Sequence, residues 1–235
     1  MNELHRTFLL LGADAVQKLR ESTVMVVGCG AVGSFAVEAL ARTGVGKIII
    51  IDSDVIEESN INRQLIALQS TIGLAKVDVA AARIRDINPA IQVTPIKLFF
   101  DETTALDVAP DFVIDAIDTV PSKIALYKWC VAHDIPFVSS MGAARKTDVT
   151  QIKIAKISKT TVCPLAAKIR KIVRNERLPD FNVVYSTETA APTGTARTFG
   201  SLVTVTGIFG LMAANYAVWT IINDKNNRGN TNLGV

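Results

Sequence analysis

The residues whose types and spacing point most directly to chemistry stand in an early turn, Gly28-Cys29-Gly30-Ala31-Val32-Gly33, a GxGxxG pattern. Glycines so spaced allow a tight turn and close approach of a phosphate, and the helix start that follows favours an anion. A nucleotide is therefore the expected ligand of Gly28, Gly30 and Gly33. Asp52 closes the next predicted strand, where its carboxylate suits the ribose hydroxyls of NAD as well as those of ATP, so this turn leaves both nucleotides open. A second set of side chains follows: Asp52-Ser-Asp54-Val-Ile-Glu-Glu-Ser59-Asn60-Ile-Asn62-Arg63-Gln64, then Gly73-Leu-Ala-Lys76, then Asp115-Ala-Ile-Asp118. A dehydrogenase needs none of them. Arginine offers a planar fork to phosphate oxygens, lysine a point charge, and an aspartate at the carboxyl end of a strand faces the ligand crevice.

Positioning these groups takes a sheet. From Thr23 onward, short β-branched runs alternate with helix-like stretches, the pattern of parallel strands covered by helices. Strands are predicted over 24–27, 47–52, 91–96, 112–116 and 136–140, with helices over 31–43, 75–86 and 122–133. The second of these helices stops before Asn88-Pro89, because proline disfavours helical backbone in the residue ahead of it. The fold class expected is α/β: a Rossmann-like, doubly wound, mostly parallel sheet with helices on both faces and a C-terminal extension. Beyond Gly142 the pattern changes to a strand over 150–154, a basic helix over 164–177, a polar loop to about Thr198 and an apolar helix. We expect one domain over 1–235, with a nucleotide-binding core at 1–142 and a substrate-binding extension at 143–235.

The chain has 235 residues, a hydrophobic fraction of 49% and a net charge of +3, enough for one large domain with a generous core. That charge does not by itself announce a nucleic-acid binder. The three cysteines, Cys29, Cys130 and Cys163, form no CxxC pair, which argues against structural zinc and fits a reducing cytoplasm. The N-terminus lacks the pattern of a secretory signal. The uncharged stretch Ser201–Ile222 is long enough to cross a bilayer. Thr204, Thr206, Gly207, Gly210 and Asn215 inside it favour a helix buried against the sheet, and no stable membrane insertion is expected.

The quoted residues, in this order and spacing from about Arg6 to Gly142, resemble the ThiF/MoeB/HesA adenylating family of ubiquitin-activating type. The resemblance implies an enzyme that joins a carboxylate to AMP with ATP and Mg2+. It implies that Arg63 and Lys76 contact the phosphates, Asp52 holds the ribose and Asp118 binds magnesium, with Asp54, Asn60 and Gln64 beside them in the nucleotide site. Arg6, in His5-Arg6-Thr-Phe-Leu-Leu-Leu-Gly12, matches the arginine that this family inserts into the partner subunit's ATP site. A homodimer is thereby implied.

The second half decides between acceptors. Sulfur-carrier activators of the family usually carry two CxxC pairs, absent here, yet adenylation of a ubiquitin-like sulfur carrier's C-terminal glycine stays as the alternative. Thr150-Gln151-Ile-Lys153 and the helix start Pro164-Leu-Ala-Ala-Lys168 resemble instead the tRNA threonylcarbamoyladenosine dehydratases, also called CsdL or TcdA. That branch has an aspartate where this chain has Cys163, read here as an incidental thiol. It implies a tRNA substrate and brings a sulfur-relay protein into view as a partner. Between Arg145 and Arg177 ten Lys or Arg residues face only Asp148 and Glu176, a local excess that suits a phosphate backbone. Lys168, Arg170, Lys171 and Arg174 are the candidate RNA contacts, although no aromatic residue interleaves the run for base stacking. The polar segment from Tyr185 to Gly200 suits a substrate lid or binding loop.

Overall fold

A computed structural model describes residues 3–192 and 199–224. Seven strands form one sheet: β1 (Thr23–Val27), β2 (Lys47–Ile51), β3 (Gln92–Ile96), β4 (Phe112–Asp115), β5 (Phe137–Ser140), β6 (Ile152–Lys156) and β7 (Asn182–Ser186), in the order β3-β2-β1-β4-β5-β7-β6. All pairs are parallel except β6 with β7. The central strands are apolar along their length; Ile48, Ile49, Ile50 and Ile51 are all buried, as expected where helices cover both faces. Strand order reverses between β1 and β4. In open α/β sheets such a switch point leaves a crevice outside the carboxyl ends of the strands.

Among the described residues the α-helices are α1 (His5–Leu11), α2 (Ala13–Glu21), α3 (Gly33–Thr43), α4 (Lys76–Ile87), α5 (Val120–Ala132), α6 (Pro164–Asn175) and α7 (Val203–Asn223). α3 ends at Gly44, whose φ of 99° is left-handed and whose N–H closes on the Leu40 carbonyl. α7 is the expected apolar helix. It lies against α3, β4 and β5 and buries Val205, Phe209, Ala213 and Ala217, so packing on the sheet accounts for one apolar face, while Val203, Leu211 and Trp219 stay exposed. A Cβ on Gly210 would stand 2.2 Å from the Val32 carbonyl oxygen. The glycine thus lets α7 press against the backbone that leads from the glycine turn into α3.

The fold class is the one expected, and three features differ. Helices α1 and α2 fill an N-terminal region for which no element was assigned. The strand expected at 150–154 runs Ile152–Lys156, because Val149–Gln151 forms a 3-10 turn whose Thr150 N–H donates to the Asp148 carboxylate. β7 occupies the start of the segment read as a loop: Tyr185 and Ser186 are buried strand residues paired with β6. Residues 193–198 of that loop lie outside the described residues.

Candidate nucleotide and acceptor crevice

The three glycines of the turn do different work. Gly28, at φ 91°, passes so close to β4 that a Cβ would meet the Ala116 carbonyl oxygen at 2.7 Å. A Cβ on Gly33 would stand 1.7 Å from the Gly28 carbonyl oxygen, so this residue lets α3 start against the turn and does not line the crevice. Only Gly30 faces open space, its nearest neighbour being Gln64 Nε2 at 3.7 Å. Gly28 and Gly30 border a crevice of about 620 Å³, a size that holds a nucleotide-scale ligand.

Around that space the chain sets Asp52, Asp54, Arg63, Gln64, Lys76 and Asp118. Asp52 is held at the end of β2 by two backbone donors, Cys29 N–H at 2.6 Å and Asp54 N–H at 2.8 Å. Each oxygen keeps a lone pair with which it can accept from a ligand hydroxyl. Lys76, the first residue of α4, is 7% exposed and pairs at 2.7 Å with Asp54, itself 63% exposed. A bound phosphate can take over the ammonium while water solvates the displaced carboxylate. Arg63 spends one nitrogen on the Ser59 carbonyl at 2.7 Å and Asn62 Oδ1 at 3.0 Å, which leaves other donors of the fork for phosphate.

Gln64 points most clearly to a ligand. Its residue is buried and lines the crevice, and Oε1 has no hydrogen-bond partner among the described residues. Such an acceptor costs about 1–3 kcal/mol unless a donor reaches it, and a nucleotide's hydroxyl or amino group is of the right kind.

Asp118 stands exposed just past β4, on a turn fixed when Asp115 Oδ1 accepts the Ile117 N–H at 3.0 Å. Beneath it lies a charged network that sequence reading did not single out. Lys123, buried on α5, donates to Asp115 at 2.9 Å, to Ser139 Oγ at 3.2 Å and to the Ser140 carbonyl at 2.7 Å. It ties the ends of β4 and β5 under the crevice floor. The same helix carries a second lysine, Lys128, half-exposed and paired with Glu176, so the sequence alone does not separate the buried lysine from the surface one. No group of three or more His, Cys, Asp or Glu side chains gathers as an all-protein metal cage among the described residues. A single carboxylate such as Asp118 still fits magnesium, which keeps waters and is held by one or two carboxylates together with substrate phosphates.

Other expected site residues lie elsewhere. Asn60 is buried in its own turn, its Oδ1 accepting the Glu57 N–H at 3.2 Å, and it shapes the loop carrying Arg63 without lining the crevice. Arg6 is exposed on α1, outside the crevice of its own chain. Of the basic helix, Lys168 reaches the crevice wall and Lys171 and Arg174 face outward. Arg170 is half-buried, and one of its guanidinium nitrogens donates to the Thr160 carbonyl and hydroxyl at 2.7 and 2.6 Å, which ties α6 to the preceding turn and leaves the other donors of the fork available. Cys163 is buried at the start of α6 among Met141, Ala166 and Ile169 and touches the crevice wall. Burial pushes the Cys29 and Cys130 thiols up, with the Asp52 and Asp115 charges adding to the effect, so both stay protonated.

With this geometry, comparison with known proteins is specific. The model of the ThiF family matches residues 3–233. The tRNA threonylcarbamoyladenosine dehydratase of Bacillus subtilis (strain 168) is 47% identical over 192 residues, covering 80% of this chain and 76% of that protein. The Haemophilus influenzae protein of the same name is 36% identical over 235 residues, 90% of each chain. Among solved structures, E. coli tRNA N6-threonylcarbamoyladenosine dehydratase, TcdA, in complex with ATP, matches with a TM-score of 0.89 at 37% identity, over 97% of this chain and 96% of that one.

Proposed function

The chain belongs to the ThiF family, and from that premise we propose that it uses ATP to activate the threonyl carboxylate of threonylcarbamoyladenosine in tRNA, closing a ring with loss of water. The observation that carries the adenylation is the convergence of the Gly28 turn, Asp52, Arg63, Lys76 and Asp118 on one crevice, beside the unpartnered acceptor of Gln64. The acceptor follows from the likeness to dehydratases at 36% and 47% identity.

In this reading Asp52 accepts hydrogen bonds from the ribose, and the phosphates lie over the backbone of Gly28 and Gly30. Arg63 and Lys76 neutralise oxygens that gain charge as the α-phosphorus is attacked. A carboxylate oxygen of the substrate forms the new P–O bond, and the bond to pyrophosphate breaks. The nucleoside's own nucleophile then attacks the activated acyl carbon, AMP departs with the bonding pair, and the nucleoside has lost the elements of one water. Asp118 is the residue that would hold magnesium, which supplies charge neutralisation to the leaving pyrophosphate when bound.

The active form we infer is a cytoplasmic homodimer in which Arg6 completes the partner subunit's site. Arg6 lies outside its own crevice, and on the same helix Phe8, Leu9 and Leu10 present apolar side chains to solvent. Incubation with ATP and tRNA carrying the modification, the same tRNA lacking it, or a ubiquitin-like sulfur carrier tests the acceptor. AMP should form only with modified tRNA; formation only with the carrier would replace this reading by carrier adenylation.

A further inference from the structure

The crevice lining continues past the phosphate-facing side chains to residues that follow β5. Across the sheet, Asp52 follows β2, the Gly28 turn follows β1, Asp118 follows β4 and Ser140 ends β5. On the reading above, ribose sits at β2 and the phosphates over β1 and β4. The β5 side is then left for the acceptor, three strand spacings from Asp52, or roughly 14 Å at about 4.8 Å per spacing. That side is walled by Ala144, Arg145, Lys168 and Phe199, none of which belongs to the phosphate machinery.

Two of these residues form a prepared surface. The Arg145 guanidinium carbon stands 5.0 Å from the centroid of the Phe199 ring, and Phe199 is 60% exposed. Arg145 has a φ of 61°, a left-handed conformation that a long side chain adopts only when its surroundings hold it there. Both its backbone groups are taken, the N–H by the Gly200 carbonyl at 2.9 Å and the carbonyl by the Ala191 N–H at 2.8 Å. Neighbouring Lys146 is buried and donates to the Glu188 carbonyl at 2.5 Å. The Arg145 backbone is thus held from both sides, and its guanidinium lies over a ring that leaves aromatic surface open at the crevice wall. The fold brings to the basic segment the aromatic side chain that its own sequence lacks.

We propose that Phe199, steadied by Arg145, is the platform on which the purine base of the acceptor nucleoside stacks, so that its carboxylate side arm reaches toward the α-phosphate. Every base offers a π-face, and a positive charge beside the ring suits a polyanionic strand. The inference rests on the acceptor being an RNA nucleoside, as proposed above.

Steady-state kinetics with modified tRNA and with ATP varied separately test it, alongside direct ATP binding. Phe199→Ala should raise KM for the tRNA by about tenfold or more, leave ATP affinity unchanged, and be rescued by Phe199→Trp. Arg145→Gln should move the tRNA KM in the same direction. An unchanged tRNA KM in Phe199→Ala, with a wild type that cyclises the nucleoside, would overturn the platform and leave the proposed function standing. Weakened ATP binding in Phe199→Ala would assign the ring to the nucleotide and equally overturn it. A wild type inert on modified tRNA would remove the acceptor reading, and the platform with it.

Discussion

On the proposed reading, Arg63 and Asp118 meet the charge that develops on the phosphates. Arg63 is braced by Ser59 and Asn62 with donors to spare, and Asp118 projects from a turn that Asp115 fixes. Removing one preorganised group that meets transition-state charge costs roughly 100- to 1,000-fold in turnover. Arg63→Ala and Asp118→Ala should each lose activity on that scale while melting like wild type; full turnover in either would remove its assigned role. The glycine turn and the Asp52-to-Gln64 stretch were legible because their spacing is local in the chain. Asn60 was not, since whether its amide turns inward or toward a ligand depends on the 3-10 turn it closes. Arg170 was equally illegible, because a basic residue on a helix gives no hint of the Thr160 oxygens waiting beside it.

Between elements, two tethers hold the crevice in shape. Lys123 and Asp115 are 2% and 4% exposed, and breaking a buried pair by removing one partner costs about 3–5 kcal/mol. Lys123→Met should therefore lower stability to denaturant by that much, and pairing it with Asp115→Leu should recover part of the loss; no recovery would mean that the pair is not the unit. The second tether joins the end of β7 to the segment after β5, where the Glu188 carboxylate accepts N–H groups of Thr147 and Asp148. Burial works against its ionisation, yet the amides of Asp148 and Thr147 outweigh it and hold the carboxyl below its ordinary value of 4.5. The folded value lies below the unfolded one, so this tether contributes stability above about pH 4.5 and loses it as pH falls through the folded value. Glu188→Gln should then flatten part of the fall in melting temperature on acidification below that pH. The core strands were readable from their apolar runs, whereas β7 hid in five residues flanked by polar sequence. Its place in the sheet comes from pairing with β5 and β6, a long-range fact with no local signal.

For the molecule as a whole, α7 shows how far composition reaches: an apolar helix of spanning length is equally the helix that supports α3 behind the glycine turn. Assembly is the level at which Arg6 has to act. If each site borrows Arg6 from its partner, Arg6→Ala and Arg63→Ala should both be inactive alone. Mixed dimers of the two should regain activity, since one of their sites has its own Arg63 and an intact Arg6 from across the interface. Absence of complementation in dimers shown to have exchanged would confine Arg6 to its own chain. The central claim, that this crevice spends ATP to close a ring on a tRNA nucleoside, is tested most directly by the mass of that nucleoside. Modified tRNA is incubated with the protein and ATP, digested under conditions that preserve the ring, and analysed by mass spectrometry. A nucleoside lighter by one water, formed with wild type and absent with Arg63→Ala or without ATP, is the predicted result; an unchanged mass with active, ATP-bound protein would contradict it.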